Sequence, residues 1–337
     1  MKKKILDLIR TAVGQKQLIA RFDAIEEVIG QLQGDIRNLN AKLMNETPNK
    51  VSATYDWAAD RDEIIHRVNY TNHNLYLHLK EAMRVRELYY RDIMGAIDRV
   101  SPVYPHENVE FTTERPVAID TDDHQKPWGA AHDNTRSPRF VAACERRFGR
   151  PLTFMDLGCS GGGLVLDFAL RRHRAFGIEG SDHPLKAQRA EWRVMDQNLF
   201  TADITRRFRL SEPGQDDPIK CDVISMWEVL EHIGDDDLPQ LLDNIKRHLK
   251  PDGIFVGSIA LVPDDHGGAS YHRTVQPREW WENRFAELNM QMLDDHGFDF
   301  EDFCRGTGNG PIDENYRDNP DVGFHFVAQM SPDAASQ

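Results

Sequence analysis

The sequence predicts an α/β fold, a mostly parallel sheet with helices on both faces, carrying an α-helical coiled-coil extension at its N-terminal end. Three observations lead there. From residue 151 onward, short apolar runs of β type alternate with helical stretches, the order that builds a parallel sheet. The first such run ends in FMDLGCSGGG (154–163), where four glycines and a serine stand at the turn into a helix; in an open parallel sheet that turn is the usual ligand cradle. Ahead of it, Leu18, Phe22, Ile25, Ile29, Leu32, Ile36, Leu39 and Leu43 recur in alternating steps of four and three, a heptad seam for helix pairing.

Taken in order, residues 1–45 are expected to form a coiled coil through which the chain self-associates. Gly30 and Gly34 lie off the seam, where they weaken the helix without interrupting the contact. The proline and polar residues of ETPNK (46–50) end the pattern, and 46–119 reads as a helical stalk followed by a linker, SPVYPHENVEFTTERP. Residues 120–150 read as a lid or substrate segment, with Trp128, His132, Asp133, Asn134 and Arg136 on it and a short helix over 138–148. The sheet domain spans 151–331. Its strands are LTFMDLG, AFGIEGS, NLFTADI, CDVISMWEVL and GIFVGSIA, with helices over 162–173, 184–195 and LPQLLDNIKRHLK, and DVGFHFVAQM closes it as an edge strand.

Composition bounds the function. The 337 residues are 40% hydrophobic, enough for one sizeable core. No run approaches the roughly 18 uncharged apolar residues of a membrane span, and the start lacks the features of a secretory signal, so a cytoplasmic location is expected. Four cysteines without C-x-x-C spacing read as reduced core residues. With 41 basic and 55 acidic residues the formal charge is −14, which disfavours nucleic acid as a partner. Residues 1–21, however, hold six bases against the single acid Asp7, beside Ile5, Leu8, Ile9 and Val13. That end is suited to peripheral contact with an anionic inner membrane face.

Glycine-rich turns alone do not identify a ligand, and what surrounds this one decides. Asp156 precedes Gly158, Ser160 and Gly162 and can orient the turn or face an ammonium group through water. Glu179 ends the second strand 17 residues after Gly162, where a carboxylate can accept hydrogen bonds from both hydroxyls of a ribose. Asp203 and Ile204 end the third strand, placed to read an adenine amino group and to cover its ring. Trp227, at the end of the fourth strand, is expected to wall the same pocket. This pattern favours S-adenosylmethionine. A nicotinamide dinucleotide is the competing reading, but its G-x-G-x-x-G motif requires a glycine where Ser160 stands.

MDLGCSGGG, GIEGSD, ADIT, CDVISMWEVLEHI and LKPDGIFVGSI together resemble a class I S-adenosylmethionine-dependent methyltransferase over roughly residues 138–330. The resemblance implies a Rossmann-like seven-stranded methyltransferase sheet ending in an antiparallel hairpin. Ser160 departs from the G-x-G-x-G that the family often carries. The segment from WEVLEHI to YHRTVQPREWW, with the lid, resembles bacterial methyltransferases found with polysaccharide and glycolipid biosynthesis. It implies O-methylation of a sugar hydroxyl on a surface glycan or its precursor. Alternatives are another small hydroxylated metabolite or the terminal ribose of an RNA.

The sulfonium donor is already activated, so the protein's main tasks are in-line placement and help with the acceptor's proton. Glu228, Glu231 and His232 of WEVLEHI and the later His272 are the candidates. In one reading His272 or His232, with Glu228, does catalytic proton transfer. In another, Glu228, Glu231, His232 and His272 hold a divalent metal; E-x-x-E-H with a later histidine resembles the metal set of small-RNA 3′-terminal 2′-O-methyltransferases and a pattern in ubiquinone-pathway O-methyltransferases. In a third, the glutamates and His232 merely hold the turn after the fourth strand. The two DDH triplets, 122–124 and 264–266, are read as solvated and given no site.

Overall fold

The computed structural model describes residues 107–266, 268–308 and 313–331. The coiled coil expected over 1–45, and the stalk as far as residue 106, lie outside the described residues.

The core is a sheet of seven strands. In chain order these are β2 (Thr153–Leu157), β3 (Arg174–Glu179), β4 (Leu199–Thr201), β6 (Cys221–Trp227), β7 (Leu249–Ala260), β10 (Met290–Met292) and β11 (Gly323–Met330). Their spatial order is β10-β11-β7-β6-β2-β3-β4. The five from β7 to β4 run parallel, and β11 is antiparallel to both its neighbours. Every residue of the central β6 is buried, as a strand covered on both faces must be.

β1 (Glu110–Thr113) and β5 (Phe208–Ser211) form a separate two-stranded antiparallel ribbon. Among the described residues seven α-helices accompany these strands: α1 (Asp122–Gln125), α2 (Trp128–His132), α3 (Pro138–Phe148), α4 (Gly163–Leu170), α5 (His183–Ala187), α6 (Leu238–His248) and α7 (Arg278–Glu287). A short hairpin, β8 (Asp265–His266) with β9 (Ala269–Ser270), follows β7.

Local chemistry explains the boundaries. Ser137 caps α3 by accepting from the Phe140 N–H at 3.3 Å, a proline opens the helix, and left-handed Gly149 ends it. Three sequence expectations are corrected. The linker 107–119 is not simply extended, because EFTT pairs with β5; its alternating exposure marks a half-buried strand. The helix expected over 184–195 breaks into α5 and a 3-10 turn, Ala190–Arg193, because Gln188 and Ala190 are left-handed (φ 50° and 47°). The final strand is not an edge: β11 lies between β7 and β10, and β10 with α7 was missed. That missed helix buries Trp281 and Phe285 against the sheet's antiparallel end.

All four cysteines are free. No helix among the described residues is long and apolar enough to cross a membrane.

Two neutral histidines tie the fold to pH. His248 is fully buried at the end of α6, its Nδ1 donating to the Asn244 carbonyl (2.8 Å) and its Nε2 accepting from the Leu210 N–H (3.2 Å). Burial pushes its pKa down to about 4, and does the same for His325 of β11. Both groups bind protons more readily unfolded than folded. Their stabilisation is therefore complete above about pH 6.5 and is lost as the pH falls toward 4. Melting temperature is expected to drop over that window, and His248→Gln, measured by the same pH-resolved thermal melts, should flatten part of the drop.

Candidate active site

The glycine turn after β2 is shaped first by the protein itself. Gly158 and Gly162 are left-handed (φ 78° and 87°), and a Cβ on them would meet Val229 and Leu199 at 2.5 and 2.8 Å. A Cβ on Gly161 or Gly163 would collide with Asn134 of the lid segment. The missing side chains thus admit neighbouring protein as closely as they would a ligand. α4 starts directly from this turn, and its first N–H, that of Gly163, is taken by Asn134 Oδ1.

The three acids stand at the ends of adjacent strands. Asp156 is the penultimate residue of β2 and accepts from the Ser225 hydroxyl at 2.6 Å; burial, and then the nearby Glu179 charge, lift its pKa to about 7. Glu179 ends β3, with Oε2 accepting from the Ser160 N–H (2.8 Å) and Oε1 from the Ser181 N–H (3.0 Å). Burial raises its pKa, and these backbone hydrogen bonds oppose the rise. Asp203 lies just past β4, its Oδ1 taken by the Thr205 hydroxyl (2.6 Å) and N–H (3.0 Å), while Oδ2 is 3.4 Å from Arg115. Ile204 is buried in the main core beside it. Trp227 ends β6, but its ring packs into an aromatic group with Phe140 (5.2 Å between centroids) and Phe303 (6.2 Å).

Residues 115–137 run across these strand ends. The Ala118 N–H donates to Gly180 (2.9 Å) and Asp203 donates to the Arg115 carbonyl (2.9 Å). His124 Nδ1 lies 3.4 Å from the Ser181 hydroxyl, and Asp122 accepts from the Ser270 N–H at 3.1 Å. Asn134 accepts from Gly163 (2.8 Å) and donates to Glu191 (2.9 Å), Arg136 pairs with Asp167 (2.5 Å), and Arg305 with Asp133 (2.5 Å). Trp128 is half exposed and tilts over His132.

Beyond β6 and β7 the structure gathers Glu231, His232 and His272, one ligand atom of each lying within 4.8 Å of the others. Both imidazoles are held the same way round. His232 Nδ1 is 3.1 Å from Asp123 Oδ2, and His272 Nδ1 is 2.5 Å from the Val262 carbonyl. Neither oxygen can donate, so each Nδ1 is the donor, and a neutral ring would present its lone pair at Nε2. Glu231 is fully buried; Oε1 accepts from the Ala260 N–H (3.1 Å), and Oε2 is buried with no partner among the described residues. Burial and the Glu228 charge raise its pKa above the usual carboxylate range.

Although desolvation pulls His232 down, Asp123 and the neighbouring glutamates hold it up at about 9. Without a cation His232 is therefore an imidazolium at neutral pH, poorly suited to take a proton, and a metal would bind at its Nε2 by displacing one. Glu228, expected as a fourth metal ligand, is not in the set: it is left-handed (φ 56°) and accepts from the Tyr316 hydroxyl at 2.7 Å, with Oε1 buried and unpartnered among the described residues. The chemistry of two imidazoles and a carboxylate with an unsatisfied oxygen fits a divalent cation.

Sequence reasoning missed Asp123, Ser181, Arg115 and Tyr316. Asp123 belongs to a triplet read as solvated, yet α1 lays it on His232. Only the tertiary course of the lid could have shown that.

A family profile described as a methyltransferase domain matches residues 130–300. The ubiquinone biosynthesis O-methyltransferase of Pseudomonas savastanoi pv. phaseolicola (strain 1448A / Race 6) is 26% identical over 189 residues, covering 53% of this chain and 78% of that one. Its namesake from Pseudomonas paraeruginosa (strain DSM 24068 / PA7) is 27% identical over 191 residues, 54% and 79% of the two chains. The polysaccharide and glycolipid resemblance finds no support in these relatives. Among solved structures, the PH0226 protein of Pyrococcus horikoshii OT3 aligns with a TM-score of 0.41 at 14% identity over 70% of this chain and 99% of its own. The 1,6-didemethyltoxoflavin-N1-methyltransferase of Burkholderia thailandensis, solved with S-adenosylhomocysteine, gives 0.40 at 14% identity, covering 62% and 84%. With that profile spanning half the chain, and the expected sheet in place beneath it, the protein belongs to the methyltransferase-domain family and is a class I S-adenosylmethionine-dependent methyltransferase.

Proposed function

We propose that this enzyme methylates a hydroxyl oxygen of a small acceptor, with a divalent cation held by Glu231, His232 and His272. The observation that carries this reading is the three converging donor atoms, two of them imidazole nitrogens fixed by acceptors on their far side and one a buried carboxylate oxygen without a partner. An amine acceptor would need no such set, since its own lone pair attacks once it is unprotonated. The kinship to O-methyltransferases supports the same choice. Among the expected acceptors, a small hydroxylated metabolite is preferred to a surface glycan, which no relative supports, and to RNA, which the charge of −14 disfavours.

The roles divide by strand. Asp156, Gly158, Gly162, Glu179, Asp203 and Ile204 would hold the methyl donor, with Trp227 backing the wall behind it; Ser160, expected among them, has its N–H, hydroxyl and carbonyl all taken by the protein. A cation at the cluster would lower the proton affinity of the bound hydroxyl. Asp123 and the Val262 carbonyl orient the two histidines, as partners of metal-bound imidazoles do. Glu228 Oε1, buried and unpartnered, is the group assigned to receive the acceptor's proton, while Tyr316 holds the other oxygen. Bound S-adenosylmethionine would supply the methyl group, its sulfur–carbon bond breaking as the oxygen–carbon bond forms.

The test is direct. The full chain, incubated with isotopically labelled S-adenosylmethionine and a panel of small phenols, diols and sugars, should transfer label to oxygen, read by mass spectrometry. Label found only on nitrogen, carbon or sulfur acceptors would reject the proposal.

A further inference from the structure

Within the glycine turn, one residue keeps a side chain where the backbone favours none. Ser160 is left-handed (φ 44°), between Gly158 and Gly162 in the same region, and a glycine there would avoid the conformational cost. All three of its polar atoms are engaged. The N–H donates to Glu179 Oε2 (2.8 Å), and the carbonyl accepts from Trp192 Nε1 (2.7 Å). The single hydroxyl proton lies between the carbonyls of Gly129 (2.9 Å) and Asp133 (2.7 Å), both on the segment that crosses the strand ends. The segment is also held by Gly163 of the same turn, by Glu191, Asp167 and Arg305, and by Arg189, whose guanidinium shares the Asp133 carbonyl. The bond through Ser160 ties it directly to the residue that grips the β3 acid.

We propose that Ser160 is a positioning residue that couples the cofactor to the segment 128–137: an adenosyl ligand on Glu179 fixes the turn, and the serine hydroxyl passes that order to the segment covering the acceptor side. This rests on the cofactor and on Glu179 as its ribose partner, and is independent of which acceptor is methylated. The ligand acts only insofar as it favours the ordered segment, so the effect must appear as a change in that segment's opening equilibrium.

Hydrogen exchange of peptides covering 128–137, with and without S-adenosylhomocysteine, tests it in the full chain. In the natural protein the ligand should slow exchange there. Ser160→Ala and Ser160→Gly should keep most of the ligand's melting shift yet lose about fivefold of the slowing, the scale of one hydrogen bond. Arg305→Ala, which removes an anchor unrelated to the cofactor, should loosen the segment with and without ligand while the ligand-dependent slowing persists. The proposal is overturned if the natural protein shows no slowing, or if the Ser160 variants retain it. Variants that no longer bind S-adenosylhomocysteine would also overturn it, by making Ser160 a cofactor residue only.

Discussion

Glu179→Ala is expected to remove most of the thermal stabilisation that S-adenosylhomocysteine confers. The carboxylate is buried at the tip of β3 and held in place by the N–H groups of Ser160 and Ser181. A fixed charged acceptor of this kind gains about 1.5–3 kcal/mol from each hydrogen bond it receives, so losing both ribose contacts weakens binding by at least about a hundredfold. At a ligand concentration a hundred times the natural dissociation constant, stabilisation falls from about 2.7 to about 0.4 kcal/mol. The unliganded variant also loses stability, because two backbone donors are left without their acceptor. The two effects separate cleanly: the melting temperature without ligand reports the donors, and the ligand-induced shift reports the ribose. Glu179→Gln, which retains one carbonyl oxygen, should fall between. A full ligand shift in the alanine variant would place the ribose elsewhere.

What the sequence displayed and what it hid follow from the range of the interactions. The parallel strands were legible because β6 and its neighbours are apolar along their length and are punctuated by glycine and proline. The α3 boundaries were legible because Ser137, Pro138 and Gly149 act within a few residues of themselves. β1 was hidden because EFTT pairs with a strand almost a hundred residues away, and nothing within four residues records that partner. β10 was hidden because three residues are too few to show a period.

The same division governs the site. Asp156 and Glu179 are fixed by their positions on strands, so spacing alone could nominate them. Glu231, His232 and His272 could be nominated by residue type. The histidines' partners could not, because Asp123 and the Val262 carbonyl arrive from separate segments. Glu228 shows the limit from the other side. It shares a motif with Glu231, yet its left-handed backbone turns it to Tyr316 and away from the histidines. Ser160 could be seen as a departure from a glycine pattern, but only the folded chain shows the Gly129 and Asp133 carbonyls on its hydroxyl.

Glu231→Gln should largely abolish binding of the proposed divalent cation while leaving the methyl donor's site intact. The substitution is nearly isosteric, and its remaining carbonyl oxygen can still accept from the Ala260 N–H, so the turn after β6 keeps its shape. The amide nitrogen would then stand where Oε2 stood, offering hydrogens in place of an oxygen that can give up its proton to bind a cation. Affinity for Mn²⁺, measured by titration calorimetry or by loss of the free-ion paramagnetic signal, should fall by about a hundredfold, at the upper end of what even an outer partner of a metal ligand costs. Asp123→Asn, which acts only through His232, should cost about tenfold. In both variants the S-adenosylhomocysteine melting shift should persist, because Glu179 is untouched. If the natural protein binds no Mn²⁺, Zn²⁺ or Mg²⁺, or if exhaustive chelation leaves methyl transfer at its full rate, the cluster is not a metal site. His272, whose Nε2 would then be uncommitted, becomes the group to test as the base.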